Sequence, residues 1–185
     1  MPPAKKAAKK ISGKHADPKH HESKDLRRAY EHLGRVEILQ KTSGRTHEDV
    51  STLAGLAQKE LKAGHAKDAA DLLRAAEHLS FADLGETSST GQAVSSMLEE
   101  AVRSEFAHLI EKADDHWGHE DEKNRHPEVK TLYRSSLKAA QKALQQGSYR
   151  QALELARGAE ALAHVKKHGP GELTAGKDHP KLATS

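Results

Sequence analysis

The sequence predicts an all-α protein: a duplicated three-helix unit forming a six-helix bundle or short helical solenoid, flanked by N- and C-terminal tails expected to be disordered. Three observations carry this expectation. Residues 141–162 repeat residues 58–79 at a constant offset of 83, with ten identities in 22 positions and no gap. Helical composition alone gives far fewer matches, so the repeat marks an internal duplication. Apolar residues recur at three- and four-residue spacing along most of the chain, the signature of amphipathic helices. Alanine and leucine supply most of the apolar content, while the aromatics amount to Tyr30, Phe81, Phe106, Trp117, Tyr133 and Tyr149. Pleated sheets would need more Val, Ile, Tyr and Phe.

The 185 residues suffice for one domain with a real core. That core is expected to be thin, because the apolar fraction is 35% and stays below the usual ~45–50% of globular domains even with glycine added. The net charge of +3 is unevenly placed: residues 1–28 hold nine Lys/Arg against Asp17, Glu22 and Asp25, a net +6, so the remainder carries −3. The basic character therefore belongs to the tail. The absence of cysteine excludes disulfides, thiolate zinc sites and cysteine nucleophiles. The N-terminal lysines precede no apolar core of a secretory signal, and no run approaches the ~20 apolar residues of a membrane span. A cytoplasmic protein without membrane attachment is expected.

Residues 1–23 form the expected basic tail, too poor in large apolar side chains to offset their ordering entropy. Its opening Lys/Ala/Pro run is similar to the tails of linker histones and some bacterial nucleoid proteins. The first three-helix unit is placed at 24–84. Its first helix runs from Ser23 to Gln40 with Leu26, Tyr30, Leu33 and Val36 or Leu39 as the buried stripe. The second begins at Thr46 or His47, with Thr46 and Asp49 as a near capping box, and buries Leu53, Leu56, Ala57 and Leu61. Gly64 sits where a helix C-cap wants positive φ, and the third helix, ending near Phe81, turns Ala69, Leu72, Leu73, Ala76 and Leu79 inward. Asp83 breaks that stripe, and residues 85–91 read as a linker.

The second unit spans 92–166. Its first helix uses Val94, Leu98, Val102, Phe106, Leu109, Ile110 and Ala113. Ala107-His108-Leu109 echoes Glu31-His32-Leu33 at an offset of 76, so seven extra residues fall in or near Trp117 to Pro127 before the offset becomes 83. Pro127 opens the next helix, which carries Leu132, Leu137, Ala140 and Leu144. The last helix covers 148–164, and residues 167–185 form the expected C-terminal tail.

Gly147, Tyr149, Ala152 and Ala159, with Gly64, Ala69 and Ala76 in the first copy, resemble the turn and second helix of a tetratricopeptide repeat. That resemblance implies close-packed hairpins that bind protein partners. The Trp, Leu, Gly and Tyr of that family's first helix are absent, and the copies are not spaced at its period. The Ala-x-x-Leu-Ala-Arg-x-Ala-Glu texture also resembles HEPN domains, some of which are ribonucleases with an Arg followed a few residues later by a His. This second resemblance implies Arg157 and His164 as an alternative catalytic pair, with Gly158 where those enzymes carry a polar residue.

Other candidate sites come from the residues themselves. Arg74 with Glu77 and Arg157 with Glu160 recur in both copies, as surface i, i+3 salt bridges or as symmetric contacts at a groove between the copies. Trp117 and Tyr149 belong to the second copy alone and join these four as partner-binding candidates. His108, Glu111 and Asp115 follow helical spacing and, with His116 and His119, form the alternative metal cluster. Lys5, Lys6, Lys9, Lys10 and Lys14 can neutralise phosphates without reading sequence. No phosphate loop, nucleophile elbow or paired catalytic carboxylates occur, so no cofactor is expected. The leading expectation is a non-enzymatic interaction protein with an unidentified protein partner. A homodimer is compatible with it. The alternatives are a nucleic-acid-associated protein using the tail and the HEPN-like ribonuclease.

Overall fold

The computed structural model describes residues 18–43, 47–87 and 96–168. Lys5, Lys6, Lys9, Lys10, Lys14, residues 88–91 of the expected linker and residues 169–185 lie outside them. Six α-helices make up the described chain: α1 Pro18–Ser43, α2 Glu48–Lys62, α3 Ala66–Thr87, α4 Ser96–Gly118, α5 Pro127–Gln145 and α6 Tyr149–Ala163. One 3-10 turn, Glu122–Asn124, lies between α4 and α5. None of these helices is long and apolar enough to cross a membrane.

The duplication is visible in the packing. α3 rests on α1 and α2, α6 rests on α4 and α5, and α3 packs against α6 at the centre. The two helix corners are built alike. Gly64 and Gly147 have φ of 85° and 75°, the left-handed region that glycine enters without steric cost. In each corner the residue after the glycine donates its N–H to the carbonyl five positions back, His65 to Glu60 and Ser148 to Ala143, both at 2.9 Å. This closes the helix with a Schellman-type bond and satisfies a carbonyl that has no intrahelical partner.

The core is thin and alanine-rich. Ala75 and Ala76 of α3 and Ala156 and Ala159 of α6 are fully buried, which lets the central helices approach closely. A Cβ added at Gly158 would sit 3.3 Å from Cδ2 of Leu79, so the residue after Arg157 is small because α3 crosses there. Leu53, Leu72, Leu73 and Leu162 are buried in the same core cluster as Leu79, each contributing about 1.5–3 kcal/mol by leaving water. A second cluster inside the later unit gathers Phe106, Leu109, Ala140, Ala143, Ala152 and Ala156.

Three expectations change. α1 begins at Pro18 and buries Ala29 and Val36, while Leu26 and Tyr30 are exposed. With Ala29 and Val36 packed inward, His32 and Arg35 reach Glu77 of α3 and Leu26 and Tyr30 face outward. α3 continues to Thr87, three residues into the expected linker. Asp83 does not end its packing face, because it pairs with His47 at 3.1 Å and Ala82 beside it is buried. Residues 167 and 168, assigned to the tail by sequence, are tied down: the Lys167 N–H donates to Asn124 O at 2.7 Å, and His168 Nε2 lies 2.8 Å from Asp68 Oδ2.

Candidate functional site

Helix α1 carries the exposed large hydrophobic side chains of the described residues: Leu26, Tyr30 and Ile38 are 40%, 60% and 65% exposed. Isolated exposed apolar residues are ordinary. These three share one i, i+4 row, 26-30-34-38, which drifts about 40° per step from the flank of the buried Ala29 and Val36 face to its opposite side. The fourth member is Gly34, and a Cβ added there would meet nothing within 4 Å. The row is therefore an apolar ridge with a notch, the relief into which another helix packs ridge into groove at about −50°. Arg27–Glu31 and Arg28–Asp25 ion pairs border it.

The sequence-selected charges lie elsewhere, at the centre of the bundle. Arg74 does not pair with Glu77. Its Nη2 lies 3.1 Å from Glu160 of the other copy and 3.6 Å from Asp71. Arg157 pairs with Glu154 at 3.0 Å and lies 4.0 Å from Glu105. In both copies the arginine thus meets the acid three residues before it, and the later acid is left to other partners. Glu77 is bonded by His32 Nδ1 at 2.6 Å and by Arg35. Burial works to raise the Glu77 carboxyl, but the His32 hydrogen bond and charge, with Arg35, outweigh it and hold it below the ordinary value. Glu160 is lowered chiefly by the His164 hydrogen bond, against burial and with the aid of Arg74.

His164 lies 3.0 Å from Glu160 and its ring meets that of His116 at 3.9 Å. Burial, then the neighbouring His164, pushes the His116 imidazole below its usual value. The alternative catalytic pair therefore points into separate settings, Arg157 to Glu154 and Glu105, His164 to Glu160 and His116. Of the five alternative metal ligands only His116 turns inward. His108 and Glu111 are exposed on α4, and Asp115 and His119 form an exposed pair at 3.7 Å.

Trp117 is held in a sandwich, with Tyr133 stacked at 3.9 Å and the Arg125 guanidinium 4.0 Å from its ring centroid. Tyr149 sits at the start of α6, where Glu99 and Arg103 of α4 interact with its phenol. Arg125, which sequence reasoning missed, is 2% exposed. It donates to the carbonyls of Ala163 and Val165 through Nη1 and to those of His116 and Trp117 through Nη2. One guanidinium thus closes the C-terminal ends of α4 and α6, where orphan carbonyls and the helix dipoles favour a cation. The only sequence signal for it was the excess length between Trp117 and Pro127.

A further group was invisible in sequence. Glu60 of α2 lies 2.7 Å from His65 Nδ1 and 3.1 Å from His126 Nε2. Asp68 of α3 accepts from the Lys166 N–H at 3.0 Å and meets His168 at 2.8 Å, and the His65 and His168 rings are 3.8 Å apart. In the second copy, Ala143, Ser148 and Gln151 stand where Glu60, His65 and Asp68 stand in the first. Comparison with protein-family models, with curated proteins and with solved structures finds no match to this chain.

Proposed function

We propose that the protein is a non-enzymatic helical interaction protein that holds an amphipathic helix of a protein partner on the outer face of α1. The observation that carries this reading is the ridge of Leu26, Tyr30 and Ile38 notched at Gly34. Glycine inside a helix costs about 1 kcal/mol relative to alanine, and no intramolecular contact at Gly34 offsets that cost. A partner backbone approaching at the notch would. Residues 24–42 carry five basic and three acidic side chains, so the partner helix has an apolar stripe with an acidic rim. The Lys-rich residues 5–14 precede this helix and add electrostatic attraction to the same partner. A cysteine-free chain suits the cytoplasm, the compartment assigned in this reading.

The test is capture from the native host with the full chain and its Gly34→Leu variant, which fills the notch while keeping a good helix former. Partner capture by the wild type and its loss in the variant support the reading. Self-association that Gly34→Leu abolishes would make the occupant a second copy instead.

A further inference from the structure

We propose that Glu60, His65 and His168, supported by Asp68 and His126, form a binding site for a divalent transition-metal ion of the zinc class. This site is distinct from the α1 face and does not depend on that reading. The ligand atoms of Glu60, His65 and His168 all lie within 4.8 Å of one another. Tetrahedral bonds of ~2.0 Å place ligand atoms about 3.3 Å apart, so closure needs movements on the order of 1 Å. Side-chain adjustments of this size are enough, the backbone before His168 being held by the Lys166 and Lys167 N–H bonds.

The chemistry fits a borderline cation. Two imidazoles and one carboxylate are the ligand types that zinc and its neighbours take in sites with an open position. The surroundings supply the second layer such sites need. His168 meets Asp68 through Nε2, a carboxylate–imidazole contact of the kind that orients a ligating ring. His126 steadies the second oxygen of Glu60. Glu60 and Asp68 are themselves buried, at 7% and 6% exposure, and two carboxylates brought out of water favour a compensating cation.

The fold gathers these residues from five places: the end of α2, the α2–α3 corner, the first turn of α3, the residue before α5 and the segment after α6. Arg125 fixes the last two, since it follows the 3-10 turn directly before His126 and bonds the carbonyls of Ala163 and Val165. The Lys166 N–H to Asp68 and the Lys167 N–H to Asn124 complete the tie. A second His/carboxylate group, His116, Glu160 and His164, has comparable spacing. There the Arg74 guanidinium already occupies Glu160, and its fixed charge opposes a dication, so that group serves as the control.

The experiment is calorimetric titration of Zn²⁺ into the chelator-treated full chain, with thermal melting in parallel. The expected result is one saturating Zn²⁺ per chain, with the melting temperature raised by at least about 5 °C at 100-fold excess over the dissociation constant. His168→Ala and Glu60→Gln, one outside any helix and the other near-isosteric, should each weaken binding at least about tenfold. The His116→Ala/His164→Ala variant should retain it. The proposal is overturned by the absence of saturable binding, by unchanged affinity in His168→Ala and Glu60→Gln, or by loss of binding in the His116/His164 variant alone.

Discussion

Arg74 Nη2 of α3 forms an ion pair with Glu160 of α6 at 3.1 Å, so the cation of one copy is matched to the anion of the other across the central helix pair. The pair is partly shielded, with the two side chains 31% and 17% exposed, and a double-mutant cycle with Arg74→Ala and Glu160→Ala should give a coupling of about 1 kcal/mol. The same cycle on Arg74 and Glu77 should give none beyond error. Urea denaturation measures both, and a larger coupling for Arg74 with Glu77 would contradict the geometry.

Arg125 is the buried lock of the second copy. Arg125→Ala should lower unfolding stability by about 3 kcal/mol or more, since four carbonyls lose their donor and the face of Trp117 loses its cation. Arg125→Lys should recover less than half, because an ammonium cannot reproduce the planar fork. Full recovery by lysine would show that charge alone, without the fork, closes the two helix ends.

Stability should fall with acid in two stages. His116 has its folded value lowered below 6.5, so the unfolded chain takes up the proton first and stability declines as pH drops through 6.5. Glu77, Glu154 and Glu160 are held below 4.5, and their contribution, complete above that value, is lost as pH falls through their depressed folded values. Asp71 works the other way: burial raises it above 3.8, so it favours the folded state at low pH and that contribution is lost as pH rises. Asp71 thus opposes the three lowered glutamates over this range. Denaturation midpoints from pH 8 to 3 should show a shallow decline near 6.5 and a steeper one below 4.5, with the shallow step absent in His116→Ala.

How far the sequence reaches depends on the range of the interaction. Gly64 and Gly147 sit in local turns whose backbone demand is written in a few neighbours, so the two corners and the inward residues of α2, α3, α5 and α6 were readable. The buried stripe of α1 was right at Val36 and Leu33 but wrong at Leu26 and Tyr30, which satisfy helical spacing as well as Ala29 does. The rotation of α1 goes with the burial of Ala29 and Val36 and the contacts of His32 and Arg35 with Glu77, more than forty residues away. The Glu60 and His168 cluster was beyond reach for the same reason, since those residues become neighbours only when α3 docks on α6. The seven-residue excess after Trp117 did mark where the second copy departs, and Arg125 and His126 lie in it.

The basic tail predicts a separate electrostatic behaviour. Replacing Lys5, Lys6, Lys9, Lys10 and Lys14 with glutamine should abolish low-salt duplex-DNA binding in a gel shift, or reduce its log–log salt slope by about 4.5. If the full chain does not bind at low salt, the nucleic-acid reading fails, leaving the tail to the protein partner.

Gly34 separates stability from docking. Gly34→Ala should raise unfolding stability by about 0.5–1 kcal/mol, because the site is open and alanine is the better helix former, while weakening partner capture. A variant that gains stability and keeps full capture would place the partner elsewhere.

The most direct measurement places a photo-crosslinking amino acid at Tyr30 or Ile38, with Glu111 of α4 as the exposed control, in the native host. The account predicts crosslinking to one protein partner from positions 30 and 38, lost when Gly34→Leu is added, and none from position 111. No adduct from either α1 position, or equal adducts from all three, would contradict the assignment of α1 as the docking face.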